Sequence, residues 1–271
     1  VLAVASGKGG VGKSSVTVNL AAALAARGLQ VGVLDADIWG FSVPRMLGID
    51  GRLEADRDDE GNTRIQPNER DVGDGVLRVV SMGFLVDGET DALMLNRAVQ
   101  HFLEDVDWGD LDYLLIDLPP GTGDVQMGLA RLLPRTELVV VTTPARAAQK
   151  VAERAVTMAR KSNLRVVGTV ENMTAFTCDH GTTYALFGEG GGEALAASAG
   201  VPLLGQIPLE PGIAAGGDAG TPQVLLDGPA AQAFRTLAEV IVTDAAPPVD
   251  VTGCSARLLD AVDAALDAAG L

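Results

Sequence analysis

The stretch Ser6-Gly7-Lys8-Gly9-Gly10-Val11-Gly12-Lys13-Ser14-Ser15 decides how this chain is read. Gly7 to Ser14 fits the pattern G-x-x-x-x-G-K-[ST]. The spacing has a physical reason. Glycines let backbone N–H groups curl round phosphate oxygens with no Cβ in the way. The helix that follows turns its partly positive N-terminus to the same oxygens. Lys13 is placed to reach the β- and γ-phosphates of a nucleotide, and the Ser14 hydroxyl is offered to Mg²⁺. The expected phosphate cradle is therefore Gly7, Lys8, Gly9, Gly10, Val11, Gly12, Lys13, Ser14 and Ser15.

Working outward, Val1–Ser6 (VLAVAS) is a short apolar run ending at the glycines and reads as a buried strand. Ser14–Arg27 carries apolar residues at helical spacing with abundant Ala, and Gly28 is its stop. Gln30–Asp35 (QVGVLD) is the next strand. Strand, loop, helix and strand in that order make a βαβ unit, hence a parallel sheet. Val76–Ser81, Tyr113–Leu118, Glu137–Thr142, Arg165–Val170 and Leu203–Ile207 read as further strands. Tyr113–Leu118 and Glu137–Thr142 are almost wholly apolar, as central parallel strands should be. Ala92–Val106, Ala147–Ser162 and Ala230–Val242 read as helices. The expected fold class is α/β, a three-layer P-loop NTPase with a mostly parallel central sheet flanked by helices. Gly51–Gly75 is polar and turn-rich and is expected to be an exposed excursion. Residues 1–244 should form the P-loop domain, and 245–271 a linker (AAPPVD) followed by a C-terminal helical tail.

The 271 residues, 47 % of them hydrophobic, suffice for one large core. The net charge of −16 repels nucleic acid and anionic lipid, and the 20 Lys and Arg residues form no local patch to override it. No apolar run reaches the roughly 18 residues of a membrane span. No charged segment followed by an apolar one marks secretion. Cys178 and Cys254 do not make a disulfide scaffold. The expectation is a cytoplasmic protein with no nucleic-acid or membrane partner. The chain starts at Val1 without an initiator Met, as a piece of a longer protein would.

Two acidic segments lie where strands end. Ligands of open parallel sheets sit beyond those ends, so both segments should face the phosphate loop. Asp35-Ala36-Asp37 closes the second strand, and Asp35 is expected to support the loop or a Mg²⁺-bound water. Leu114–Gly123 (LLIDLPPGTG) is a hydrophobic strand ending in Asp117, a Walker B pattern that puts this carboxylate near Mg²⁺. Pro119 and Pro120 stiffen the turn, and Gly121 can bring its N–H to the γ-phosphate.

Lys8 is one lysine more than a phosphate loop needs. KGGVGKS resembles the deviant loop of the MinD/ParA/nitrogenase-iron-protein class. That resemblance implies a homodimer in which Lys8 crosses to the other subunit's nucleotide and stabilises the transition state, as an arginine finger does. It also implies that Asp37 orients the attacking water, which makes Lys8, Lys13 and Asp37 the catalytic set. Asn172 would read the adenine edge with an amide that both donates and accepts, and Pro208 would lie near the base.

The segments DADIWG, FLEDVDWGDLDYLLIDLPPGTGDVQ, TTPARAA, ENM, FGEGGGEALA and LLGQIPL together resemble the Mrp/ApbC-type iron–sulfur cluster carrier ATPases, from about Val1 to Pro222. The resemblance implies slow hydrolysis of Mg-ATP by a homodimer that carries a bridging cluster to apo client proteins. Many members also have a small preceding domain. Trp39 and Phe41 depart from the family's usual DADIYGPS and read as packing residues. A second departure is more serious. The family usually has Cys-x-x-Cys between Asn172 and Gly188, so that a dimer offers four thiolates. Here FTCDHGTTYALFG puts Cys178 at the first position and Gly181 at the second. His180 can contribute, since His replaces Cys on iron in some clusters. Cys178 and His180 from two chains would also suit zinc. An external thiol could complete the set instead, or Cys178 is an inert thiol in a degenerate site. Cys254 and His101 read as non-ligands.

Three other readings compete with a cluster carrier. A MinD/ParA-like dimerisation switch without a cluster uses the same loop, but the acidic tail argues against a membrane and the net charge against DNA. A nitrogenase-type redox partner needs two cluster cysteines per chain. A synthetase needs a substrate pocket that no motif here marks.

Overall fold

The computed structural model describes residues 1–37, 40, 42–51, 53–57, 63–81, 99–121, 128, 130–133 and 135–248. In chain order the elements begin with β1 (Leu2–Ser6), α1 (Lys13–Ala25), β2 (Gln30–Asp35), α2 (Val43–Met46), β3 (Glu54–Arg57) and β4 (Thr63–Gln66). There follow β5 (Asn68–Val72), β6 (Gly75–Ser81), β7 (Tyr113–Asp117), β8 (Glu137–Thr142), α3 (Arg146–Lys161) and β9 (Arg165–Asn172). The chain then forms β10 (Phe176–Thr177), β11 (Thr183–Tyr184), α4 (Gly191–Ala199), β12 (Leu203–Ile207), α5 (Pro211–Asp218) and α6 (Pro229–Val240). Residues 99–104 are also helical.

Among the described residues, eight strands form the central sheet in the order β12-β9-β8-β1-β7-β2-β6-β5. All neighbours are parallel except β5, which runs antiparallel to β6 at the edge. β1 sits between β7 and β8, so the phosphate loop leaves from the middle of the sheet. The pleat explains the layers. Leu2 and Val4 of β1 face the cluster that includes α1 and α6, whereas Ala3 and Ala5 face the one that includes α3 and α4. With both faces covered, the central strands are apolar throughout, as their sequences indicate. α1 is buried along nearly its whole length, which explains its Ala-rich composition. Large side chains would hold it away from the sheet.

The excursion expected at Gly51–Gly75 needs correction. β3 and β4 pair as a separate antiparallel ribbon, and all four β3 residues are exposed. β5, however, belongs to the main sheet, with Asn68 opposite Val79 and Val72 opposite Gly75. Its polar sequence reflects an edge position, where charged residues discourage pairing with other chains. Packing continues to Ala245 and Ala246, both buried, and the Tyr113 hydroxyl donates to the Ala246 carbonyl at 2.7 Å. These two residues lie inside the stretch read as a linker. Trp39, Phe41, residues 92–98, Cys254 and the tail 256–271 lie outside the described residues. His101 is exposed and pairs with Asp105 at 2.8 Å, one helical turn on. No helix among the described residues is long and apolar enough to cross a membrane.

Candidate functional site

The phosphate loop is shaped by what a Cβ would strike. A Cβ on Gly7 would run into the backbone of Val151 and Ala152 in α3. One on Gly12 would run into the Asn172 amide, and Gly12 also has φ of 81°, the left-handed region that favours glycine. The loop is thus pressed between α3 and the end of β9. Lys8, Gly9 and Gly10 are exposed at its crest, while Lys13 is buried. The Ser6 hydroxyl donates to the Lys8 carbonyl at 3.0 Å and fixes the loop's first turn.

Lys13, Ser14 and Asp117 form one polar knot below the crest. Lys13 Nζ lies 2.7 Å from Asp117 Oδ2 and 3.9 Å from Asp37 Oδ2. It donates to Ser14 Oγ at 3.3 Å, and Ser14 Oγ donates to Asp117 Oδ2 at 2.6 Å. A fourth member was not singled out in the sequence. Thr17 is fully buried, and its hydroxyl donates to Asp117 Oδ1 at 2.8 Å. Thr17 thereby fixes which Asp117 oxygen faces Ser14. It stands four residues after Lys13, on the same helix face, and that spacing was the available signal. Ser14, Asp117 and Thr17 present only hard oxygen atoms. Mg²⁺ is held by just such carboxylate and hydroxyl donors together with waters, so the donor set fits it.

Asp35 and Asp37 have different surroundings. Asp35 is fully buried and accepts from the Asp37 N–H at 3.1 Å, the Val43 N–H at 3.4 Å and Ser81 Oγ at 3.1 Å. It therefore ties both ends of the 37–43 loop to β2 and β6. Burial, and then the nearby Asp117 carboxylate, push its pKa up from 3.8 to about 7. Asp37 is the more accessible of the two and faces Lys13. The Gly121 N–H donates to the Ser6 carbonyl at 3.1 Å, which brings the 117–121 turn against the loop.

At the end of β9, Asn172 Nδ2 donates to the Val11 carbonyl at 2.9 Å. Pro208 follows Ile207, the residue paired with Asn172 across β9 and β12, so the two lie side by side. Glu171, another residue the sequence reading passed over, is buried on the opposite face. An acidic residue inside an apolar strand was the signal.

Cys178 lies at the tip of the β10–β11 hairpin. The hairpin is short, with Phe176 opposite Tyr184 and Thr177 opposite Thr183. The His180 backbone N–H, and then that of Thr182, donate to the Cys178 thiol and lower its pKa from 9.0. His180 meets Cys178 through its backbone. Tyr184, Leu186 and Phe187 beside the hairpin are 48 %, 60 % and 44 % exposed. Among the described residues, no group of three or more His, Cys, Asp and Glu side chains could hold a metal ion within one chain.

The family profile described as "NUBPL iron-transfer P-loop NTPase", of the ParA group, matches residues 1–242. The chain is 54 % identical over 235 residues to the iron-sulfur cluster carrier protein of Mycobacterium tuberculosis, covering 83 % of this chain and 59 % of that protein. It thus spans about three-fifths of that relative's length. It is 42 % identical to the iron-sulfur cluster carrier protein of Saccharolobus solfataricus, over 89 % of this chain and 82 % of that one. Among solved structures, a nucleotide-binding protein from Archaeoglobus fulgidus in complex with ADP superposes with a TM-score of 0.69. It is 39 % identical and covers 81 % of this chain and 85 % of its own. The septum site-determining protein MinD of Pyrococcus horikoshii, solved with Mg-ADP, has a TM-score of 0.66 at 24 % identity, over 92 % and 98 % of the two chains, and shares the fold. The chain belongs to the iron-transfer P-loop NTPase family that includes the iron–sulfur cluster carrier proteins.

Proposed function

We propose that this chain binds and hydrolyses ATP as a homodimer in the cytoplasm and carries an iron–sulfur cluster to apo client proteins. Residues 1–244 act as the ATPase unit, with 245–271 as linker and tail. The observation that carries the reading is the buried knot of Lys13, Ser14, Thr17 and Asp117 at the mouth of a glycine-shaped loop, within a family of cluster carriers. The loop amides of Gly7 to Ser15 hold the phosphates, Asn172 and Pro208 the adenine. Mg²⁺, held by Ser14 and Asp117, neutralises charge on the β- and γ-phosphates when bound.

Lys13 swings from Asp117 to the β- and γ-phosphate oxygens. Asp37 orients a water in line with the γ-phosphorus. The water oxygen bonds to phosphorus, the bond to the bridging oxygen breaks, and ADP, phosphate and a proton result. Lys8, exposed at the crest, reaches the other subunit's nucleotide and offsets the charge that develops there. The cluster is cargo, held between the Cys178 hairpins of two chains. His180, or an external thiol, completes the ligand set, and a Cys₂His₂ set would admit zinc as well.

The test is ATP hydrolysis followed against protein concentration. Lys8→Ala should lower the concentration-dependent rate by about 10³-fold, the scale of an arginine finger, while leaving nucleotide affinity within about threefold. Unchanged hydrolysis in that variant contradicts the cross-subunit role. One observation favours a second reading, a dimerisation switch without cargo: Gly181 stands where a second thiolate would be.

A further inference from the structure

Glu171 and Asn172 are consecutive on β9, so their side chains leave opposite faces of the sheet. Asn172 Nδ2 holds the Val11 carbonyl of the phosphate loop, and a Cβ placed on Gly12 would lie 3.4 Å from Met173 Cε. Glu171 points to α4. Its Oε1 accepts the Gly192 N–H at 2.6 Å and its Oε2 accepts from Gln206 Nε2 at 2.7 Å. The carboxylate therefore caps the positive end of α4 from a neighbouring strand and ties it to β12 as well.

Everything between these two anchors is the cysteine-bearing excursion, residues 173–190. It leaves the sheet directly after Asn172 and returns at Gly191. The fit at the return is close. A Cβ on Gly192 would lie 2.5 Å from Glu171 Cβ, and one on Gly191 would lie 2.6 Å from the Pro144 carbonyl oxygen. At the outgoing end, the Thr174 N–H donates to the Ile207 carbonyl at 3.1 Å and the Leu209 N–H to the Ala175 carbonyl at 2.9 Å. The excursion is pinned at both roots while its outer part is exposed. One dipeptide holds the phosphate loop with one side chain and the returning root of the hairpin with the other.

We propose that Glu171 is a positioning residue that couples the phosphate loop to the Cys178 hairpin, so that nucleotide occupancy changes the presentation of Cys178 through the Asn172–Glu171 junction. The inference deepens the nucleotide-driven carrier reading and rests on it. It assigns the coupling to β9 rather than to the acidic loops after β2 and β7. The junction suits this role because nothing soft intervenes. The loop carbonyl, the Asn172 amide, the strand backbone, the Glu171 carboxylate and the α4 N-terminus are joined by hydrogen bonds and covalent bonds alone.

The experiment follows alkylation of Cys178 by iodoacetamide in the full chain. The Cys178-containing peptide is read by mass spectrometry, with and without saturating Mg-ADP. Nucleotide affinity is titrated in parallel. In the parent protein Mg-ADP should change the Cys178 rate by about fivefold or more, the lower range of ordinary coupling between sites. Glu171→Ala removes the acceptor, and Gly192→Ala pushes α4 away while keeping the carboxylate. In each the ratio should fall to near one, with the nucleotide Kd altered by less than about threefold. Glu171→Gln keeps an acceptor for the Gly192 N–H and should restore the response. A merely structural role would not produce that pattern. The inference is overturned if both uncoupling variants keep the parent's ratio, if the parent binds Mg-ADP with no change at Cys178, or if neither variant folds. A parent chain that does not bind Mg-ADP removes the functional reading and this inference together, whereas binding without a response removes the inference alone.

Discussion

At the phosphate loop, Lys13, Thr17 and Asp117 are buried and meet one another or Ser14 within hydrogen-bond distance. At the hairpin, His180, Tyr184, Leu186 and Phe187 are exposed, and Cys178 finds its donors within the hairpin turn itself, chiefly the backbone N–H groups of His180 and Thr182. The first region is a finished polar site inside one chain. In the second, no group of three or more His, Cys, Asp and Glu side chains comes together among the described residues. The contrast teaches which of the two regions the proposed homodimer would have to complete. A buried network fixes its own geometry, because each unmet polar group there would cost about 1–3 kcal/mol. On the proposed reading, a half-exposed thiol beside three exposed apolar side chains would gain its ligands and its cover from outside.

The sharpest way to break the comparison is to attack the finished site. Lys13→Ala or Asp117→Asn should lower ATP hydrolysis by about 10³-fold with the circular dichroism unchanged, since on the proposed mechanism each removes charge that would face the phosphates or Mg²⁺. Persisting hydrolysis would move the catalytic centre elsewhere. Gly7→Ala forces a Cβ into the α3 backbone, which cannot give way as a side chain could. It should destabilise folding by about 2–3 kcal/mol, read as a lower urea midpoint at constant slope. Leu186→Ser, at a position 60 % exposed, should change monomer stability by less than about 0.5 kcal/mol yet weaken self-association in sedimentation.

Smaller effects sharpen the picture. Thr17→Val keeps the shape and removes the hydroxyl that orients Asp117, so the Mg²⁺ concentration for half-maximal nucleotide binding should rise roughly tenfold. Thr17→Ser should restore it. A response to neither would show that Asp117 needs no guide. Cys178 should alkylate with a pH midpoint below 9.0, because the N–H donors of His180 and Thr182 favour its thiolate. Its reactive fraction then extends to lower pH than that of an ordinary thiol, and a midpoint at or above 9.0 would remove those donors from the account.

The sequence made the nucleotide end legible because its determinants are contiguous. Gly7 to Ser15 is one loop, and the flanking apolar runs specify β1 and α1 by period alone. Asp37 and Asp117 follow from the rule that parallel strands deliver ligands at their carboxyl ends. Thr17 and Glu171 escaped notice because their roles depend on partners 100 and 21 residues away. β5 escaped because an edge strand is polar, and polarity reads as loop. The hairpin was marked only by a cysteine whose second member is missing. Two residues per strand are too few for any period to show.

The measurement that bears most directly on the cargo claim is anaerobic reconstitution with iron and sulfide, counted per dimer in the parent chain and in Cys178→Ser. The account predicts a chromophore with about one cluster per dimer in the parent and its loss in the variant, with ATP hydrolysis intact in both. Equal iron in both proteins, or none in either while hydrolysis persists, would contradict cluster carriage at the hairpin and leave a nucleotide switch.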